Sequence, residues 1–155
     1  MENIGYFHYF LLSIVTFVDV FGGGASVGIN ANSKKLLLND NLIYLIDLYK
    51  FMKLHTQFQV LKYIDDRIKK LKLSKTNIER YLELRKQYNT YKHPLDLFIL
   101  TAYSFNHQIC FNTAHEFNTH FGKERSSFNS SIRQNLIQFI DYLHNNNVEL
   151  SNVSL

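Results

Sequence analysis

Of 155 residues one is cysteine, one is proline and none is tryptophan. The lone cysteine, Cys110, cannot close an internal disulfide and excludes every zinc site built on paired cysteines, so a reducing, cytoplasmic setting is expected. A single proline, Pro94, means that no Pro-Pro pair exists anywhere in the chain. An apolar run long enough for a bilayer is also missing. Tyr9 to Val18 is almost wholly apolar, but Asp19 ends it well short of roughly 20 residues, no Lys or Arg precedes it and no small-residue cleavage pattern follows. Neither secretion nor a membrane partner is expected. Acidic residues are the scarcer charge, 13 against 17 Lys and Arg, and the net charge of +4 leans toward an anionic partner, with nucleic acid permitted but not demanded.

What is present is enough apolar sequence, 46%, to bury one core, and a pattern that alternates strand with helix. Ser13 to Phe21 is β-branched and aromatic on both faces, as in a strand buried within a parallel sheet. Gly22, Gly23 and Gly24 then make a turn, Ala25 to Asn30 a short helix, and "KKLLLND" a second buried strand. From Asn41 onward, Leu42, Leu45, Ile46, Tyr49 and Met52 share one helical face. This order predicts an α/β sheet with right-handed crossovers, whose ligands bind at the C-terminal strand ends.

The middle of the chain reads differently. Thr56 to Lys92 has helical periodicity, much of the basic charge and an N-cap at Ser74, which predicts two solvated helices. Pro94 fits the first turn of a third, largely buried helix, "HPLDLFILTAYSFNHQI". "CFNTAHEFNTHFGKERSSFN" has no sustained period and reads as a hairpin or projecting loop. Asn129 or Ser130 caps a last helix through Leu136, Phe139, Ile140 and Leu143, and "NNNVELSNVSL" begins another strand.

The glycine turn carries the chemistry. A strand, a glycine turn and a helix N-terminus let backbone approach a ligand with no Cβ in the way. Asp40 stands 21 positions after Asp19, at the end of the next strand, where a carboxylate can take both hydroxyls of a ribose. That spacing serves dinucleotides and S-adenosylmethionine equally. The glycines follow G-G-G-x-x-x-G from Gly22 to Gly28 instead of G-x-G-x-x-G, an imperfect dinucleotide fingerprint. The histidines are scattered. His115 and His120, at i and i+5, lack a third ligand, so no metal is expected, and Cys110 has no patterned His or Asn partner, so no catalytic residue is assigned.

Two segments together resemble the Dam-like family of DNA adenine N6-methyltransferases. "FVDVFGGGASVGIN" followed by "LLLNDNLIYLIDLYKFMK" is similar to the family's cofactor motif, its ribose-binding Asn-Asp and the helix after it. "LFILTAYSFNHQICFNTAHEFNTHFGK" is similar to its DNA-reading segment, commonly Phe-Asn-x-x-x-Arg-Phe-Asn-x-x-Gly-Glu-Phe-Asn-x-Pro-x-Gly. The resemblance spans roughly Phe17 to Leu150. It implies that Asp40 binds the ribose of S-adenosylmethionine and that Phe21, Gly22, Gly23, Gly24 and Ala25 line its methionine and adenosyl portions. It also implies double-stranded DNA as partner, with Phe105 and Asn106 at the position that enters the duplex beside a flipped adenine, Asn112 within the same segment, and Lys123 and Arg125 neutralising phosphates.

The departures are as informative. The family holds its target adenine with an acidic residue or Asn, then Pro, Pro and an aromatic, and one proline cannot supply this. No counterpart of its Gly-Gly-Lys segment stands in Met1 to Leu12, so truncation at both ends is expected. Within the reading segment Cys110 stands at the usual Arg, His115 at the usual Gly and His120 at the usual Pro. The fold expected is therefore α/β, a partial S-adenosylmethionine-dependent methyltransferase sheet of Rossmann-like type with a helical and hairpin DNA-recognition insert. Residues 1–54 and 129–155 form the cofactor domain and 55–128 the insert. The function expected is that of a site-specific DNA adenine N6-methyltransferase of a restriction-modification type, or an inactive remnant or split part of one. In the split case the catalytic motif comes from a second polypeptide. A non-catalytic DNA-binding or regulatory module and an NAD-dependent oxidoreductase fragment are the rival readings.

Overall fold

The computed structural model describes residues 14–153. Expectations that fall on Met1 to Ser13 lie outside the described residues. β1 (Ile14–Asp19), β2 (Ser33–Asn39) and β3 (Val148–Ser151) form a parallel sheet in the order β1-β2-β3, with Asp19 opposite Leu38 and Asn39 opposite Ser151. β2 is the central strand, so its Leu36 and Leu38 are buried. β1 departs from the buried strand expected of it: Ile14, Val15 and Val18 are exposed. The physical reason is position, since β1 has a ladder partner on one side only among the described residues.

α1 (Ser26–Asn30) is one short turn, and α2 (Ile43–Leu54) buries Leu45, Ile46, Tyr49 and Met52, the face read from the sequence. α3 (Gln57–Leu71) opens on a reciprocal cap, in which Thr56 accepts from the Gln59 N–H and Gln59 accepts from the Thr56 N–H. α4 (Ile78–Tyr91) is capped by Asn77, whose side chain accepts from the Arg80 N–H, and not by Ser74 as expected. Ser74 Oγ is engaged instead with Thr76 in the connecting turn. α5 (Pro94–Tyr103) starts at its proline and is almost wholly buried, packing on α2, α3 and α4. It stops sooner than the predicted helix through 109. Ser104 Oγ turns back onto the Thr101 carbonyl, and Asn106 and His107 both take positive φ in a 3-10 turn, Phe105–His107. α6 (Ser130–Asn145), capped by Asn129, returns the chain to β3.

The helices α3 to α5 are not uniformly solvated. Arg67 of α3 forms a two-pronged pair with Asp96 of α5, and the Tyr63 hydroxyl donates to the same carboxylate. Asp96 is only 2% exposed, so these donors are what make its burial tolerable.

Candidate cofactor cavity and nucleic-acid interface

The glycine turn is fixed to the sheet at two consecutive residues. Gly22 N–H donates to the Asn39 carbonyl at 2.8 Å, and a Cβ on Gly22 would stand 2.6 Å from Leu38 Cδ1, so any side chain there would have to displace the buried Leu38. Gly23 has φ +43°, the left-handed region in which glycine carries no Cβ penalty. Its N–H donates to Asp40 Oδ2 at 2.9 Å, and its carbonyl accepts from the Tyr49 hydroxyl at 2.5 Å. Asp40 Oδ1 accepts from the Leu42 N–H at 2.8 Å. Each carboxylate oxygen thus has one backbone donor, and of its roughly four lone-pair sites two stay open to ligand hydroxyls. Asp19, at the end of β1, accepts from the Gly28 N–H at 3.0 Å and ties α1 to the strand.

A cavity of about 890 Å³ opens beside this turn. Gly23, Gly24 and Asp40 line it, with Tyr49 of α2, His107 and Ile109 of the 3-10 turn and its exit, and Phe139 and Tyr142 of α6. Of the residues expected around a cofactor, Gly22 and Ala25 are buried beneath the turn. Phe21 is 77% exposed and is not part of the cavity wall. A drug-sized ligand occupies a concave pocket of roughly 300–1,000 Å³ with a few convergent polar groups on an apolar wall. An acid with open lone pairs, a side-chain-free turn and apolar α2 and α6 faces meet that description, and a methyl donor built on a nucleoside fits it.

The segment from 104 to 126 is held by backbone bridges and by α4. Ser104 pairs with Phe121 and Phe111 with Phe117, both antiparallel. Asn89 reads the Phe117 backbone with both ends of its amide, accepting at 2.8 Å and donating at 3.1 Å. The Tyr81 hydroxyl donates to the Thr119 carbonyl at 2.9 Å. Lys92 Nζ donates to the His115 carbonyl at 2.8 Å while lying 5.1–5.9 Å from the ring centroids of Tyr44, Tyr88 and Phe111. Burial lowers its ammonium pKa, with Glu116 opposing that shift. Phe105 is 46% exposed, and Asn106, Lys123 and Arg125 are exposed as well. Asn112 Oδ1 accepts from the Ala114 and Glu116 N–H groups, so this side chain shapes the loop tip. His115 has φ +58°, so the position where the resemblance expects glycine does take a left-handed backbone. Cys110 is exposed, with its N–H given to Thr119 Oγ1.

Residues 7–154 match the family model described as D12 class N6 adenine-specific DNA methyltransferase. The chain belongs to this family. It is 40% identical over 131 residues to the modification methylase StsI of Streptococcus sanguinis, covering 84% of this chain and 20% of that protein. It is 43% identical over 136 residues to the type II methyltransferase M.FokI of Planomicrobium okeanokoites, covering 88% of this chain and 21% of that protein. The DNA adenine methylase of Salmonella typhi is 32% identical over 116 residues, 72% of this chain and 40% of that protein. The chain therefore spans about a fifth of the length of the first two relatives.

The D12 class is one of methyl-donor-dependent enzymes that act on DNA, and membership in it sets aside the oxidoreductase alternative that the Asp19 to Asp40 spacing leaves open. Among the described residues no group of three His, Cys, Asp or Glu is placed to hold a metal ion, and no helix is long and apolar enough to cross a membrane. Sequence reasoning missed Tyr49 and Lys92 as polar actors. Tyr49 sits on an apolar helical stripe and reads as core. Lys92, at the C-terminal end of α4, falls in a basic helical stretch of the sequence and reads as solvated. Only the packing of α2 and α4 against distant loops gives each a partner.

Proposed function

We propose that this chain carries the donor seat and the DNA-reading segment of a site-specific DNA adenine N6-methyltransferase. The observation that supports this best is Asp40 at the end of β2, bonded to Gly23 within one cavity that the reading segment also helps to line. S-adenosylmethionine is the donor this reading assigns, and it supplies a methyl group on a sulfonium. Asp40 Oδ1 and Oδ2 take the ribose hydroxyls, and Gly23 and Gly24 give the amino-acid tail room for close backbone approach. Phe105 and Asn106, at the exposed turn after α5, enter the duplex beside a flipped adenine. Asn112 shapes the loop tip of the same segment through Ala114 and Glu116, while Lys123 and Arg125 neutralise phosphates.

One proline in 155 residues leaves no Pro-Pro-aromatic clamp for the adenine amino group in this stretch. On this reading the clamp comes from outside these 155 residues, from a second polypeptide or from further sequence of a longer protein. Residues 1–54 and 129–155 act as the donor domain and 55–128 as the DNA-recognition insert. Calorimetric titration of the chain with S-adenosylhomocysteine tests the donor seat. Micromolar-range binding that is lost in Asp40→Ala is expected, and a folded wild-type chain without measurable affinity overturns the reading. Salt-dependent DNA binding without donor affinity would leave the non-catalytic DNA-binding module instead.

A further inference from the structure

Gly23 is held from both sides. Its N–H belongs to the Gly22–Gly23 peptide and is taken by Asp40; its carbonyl belongs to the Gly23–Gly24 peptide and is taken by Tyr49. The second bond has a consequence one atom further on. In a trans peptide the C=O and N–H lie in one plane and point in opposite directions. Fixing the Gly23 oxygen on Tyr49 therefore fixes the Gly24 N–H, directed away from the phenol. Gly24 lines the cavity, is exposed, and its N–H has no acceptor among the described residues, while a Cβ built on it meets nothing within 4 Å.

Tyr49 is suited to this task. Its ring is buried in the α2 face and packs edge-on against Phe139 of α6, with centroids 4.9 Å apart, so the hydroxyl position is set by the core. Burial, reinforced by the Asp40 and Asp19 carboxylates, pushes the phenol pKa upward, which keeps the hydroxyl a donor at any physiological pH.

We propose that Tyr49 is a positioning residue for the methyl donor: by holding the Gly23 carbonyl it offers the Gly24 N–H to the carboxylate of the donor's amino-acid tail. This rests on the donor-site reading above. It divides the seat into two parts, Asp40 for the sugar and the Tyr49-oriented peptide for the tail.

The division makes the test. The 155-residue chain is titrated with S-adenosylhomocysteine, which has the amino-acid tail, and with 5′-methylthioadenosine, which has the same sugar and base but no tail. Tyr49→Phe keeps the buried ring and removes only the hydroxyl. It should weaken S-adenosylhomocysteine roughly fivefold to tenfold, the effect of removing one neutral hydrogen bond, and leave 5′-methylthioadenosine within twofold. Asp40→Ala should weaken both. Equal weakening of both ligands by Tyr49→Phe, or no weakening of either, overturns the proposal, because a merely structural residue would not tell the ligands apart. A second measurement needs no variant: the wild-type Gly24 amide proton resonance should shift with S-adenosylhomocysteine and stay in place with 5′-methylthioadenosine. The same response to both ligands, or to neither, also overturns it. A wild-type chain that binds neither ligand overturns the donor seat itself, and this inference with it.

Discussion

Arg67 grips Asp96 with two prongs, Nε to Oδ1 at 3.0 Å and Nη2 to Oδ2 at 2.7 Å, joining α3 to α5 across 29 residues of sequence. The same guanidinium donates to Gln87 of α4 at 2.7 Å, so one cation ties α3, α4 and α5 together. Asp96 is nearly free of solvent, and removing it leaves a half-buried arginine with no countercharge. Asp96→Ala is expected to cost about 3 kcal/mol or more, because breaking one side of a buried pair strands the other. For a chain of this size that is a fall in melting temperature of roughly 6 to 12 °C. A variant melting within 2 °C of wild type would contradict this account of the pair.

His93, beside the same pair, gives these helices a pH dependence. Its ring stacks on Tyr63 with centroids 4.3 Å apart, and its Nδ1 is buried without a hydrogen-bond partner. Burial lowers its pKa below the ordinary value of 6.5; Asp96 pulls upward, while Arg67 and His55 add to the lowering. A depressed folded-state pKa means that the unfolded chain binds the proton more readily. Stability is therefore fully present above about pH 6.5 and is lost as pH falls through the folded-state pKa. His93→Phe should flatten the part of the melting profile between about pH 5 and 7 that His93 contributes. An unchanged slope would assign that dependence to other groups.

Lys92 is a cation that the 104–126 segment uses internally. Its ammonium meets the His115 carbonyl and three aromatic rings, so its charge is engaged within the fold. Lys92→Met should loosen the loop, seen as faster amide exchange at Asn112 to Phe117, yet leave the salt dependence of duplex binding unchanged. Lys123 and Arg125 are the contrast. Changing both to Gln should reduce the slope of log K against log salt by about 1.8, near 0.9 for each phosphate no longer neutralised. A flatter slope in Lys92→Met would show that its charge reaches DNA after all.

His115 carries backbone strain that glycine would not. At φ +58° a residue with a Cβ is disfavoured, and Lys92 holds the segment there through the His115 carbonyl, which any residue supplies. His115→Gly should raise stability by roughly 0.5 to 1 kcal/mol, the relief of strain less the extra freedom glycine has when unfolded. A lower melting temperature would mean that the imidazole contributes through its edge-on packing against Tyr44.

Much of the molecule was readable along the chain because its causes are local. Apolar runs of β2, the Pro94 start of α5, the Asn129 cap and the three glycines each act within a few residues, and each appears where periodicity and turn chemistry put it. The acid at position 40 was legible for the same reason, being a fixed count beyond the first strand. Ser74 and β1 show the limit. A cap depends on which of two nearby polar side chains the turn engages first, and a strand's burial depends on how many neighbours pair with it, which no period along the chain records.

The sequence by itself determined the element order, the family and the placing of an acid just after β2 beside a glycine turn, since propensity, spacing and motif are properties of the chain. Only the tertiary structure decided what the long-range polar groups do. Tyr49 lies 26 residues from Gly23, Lys92 23 from His115 and Arg67 29 from Asp96. A buried donor must find an acceptor, but which one it finds is set by how helices pack, and packing is the sum of many weak attractions that only the folded chain brings together.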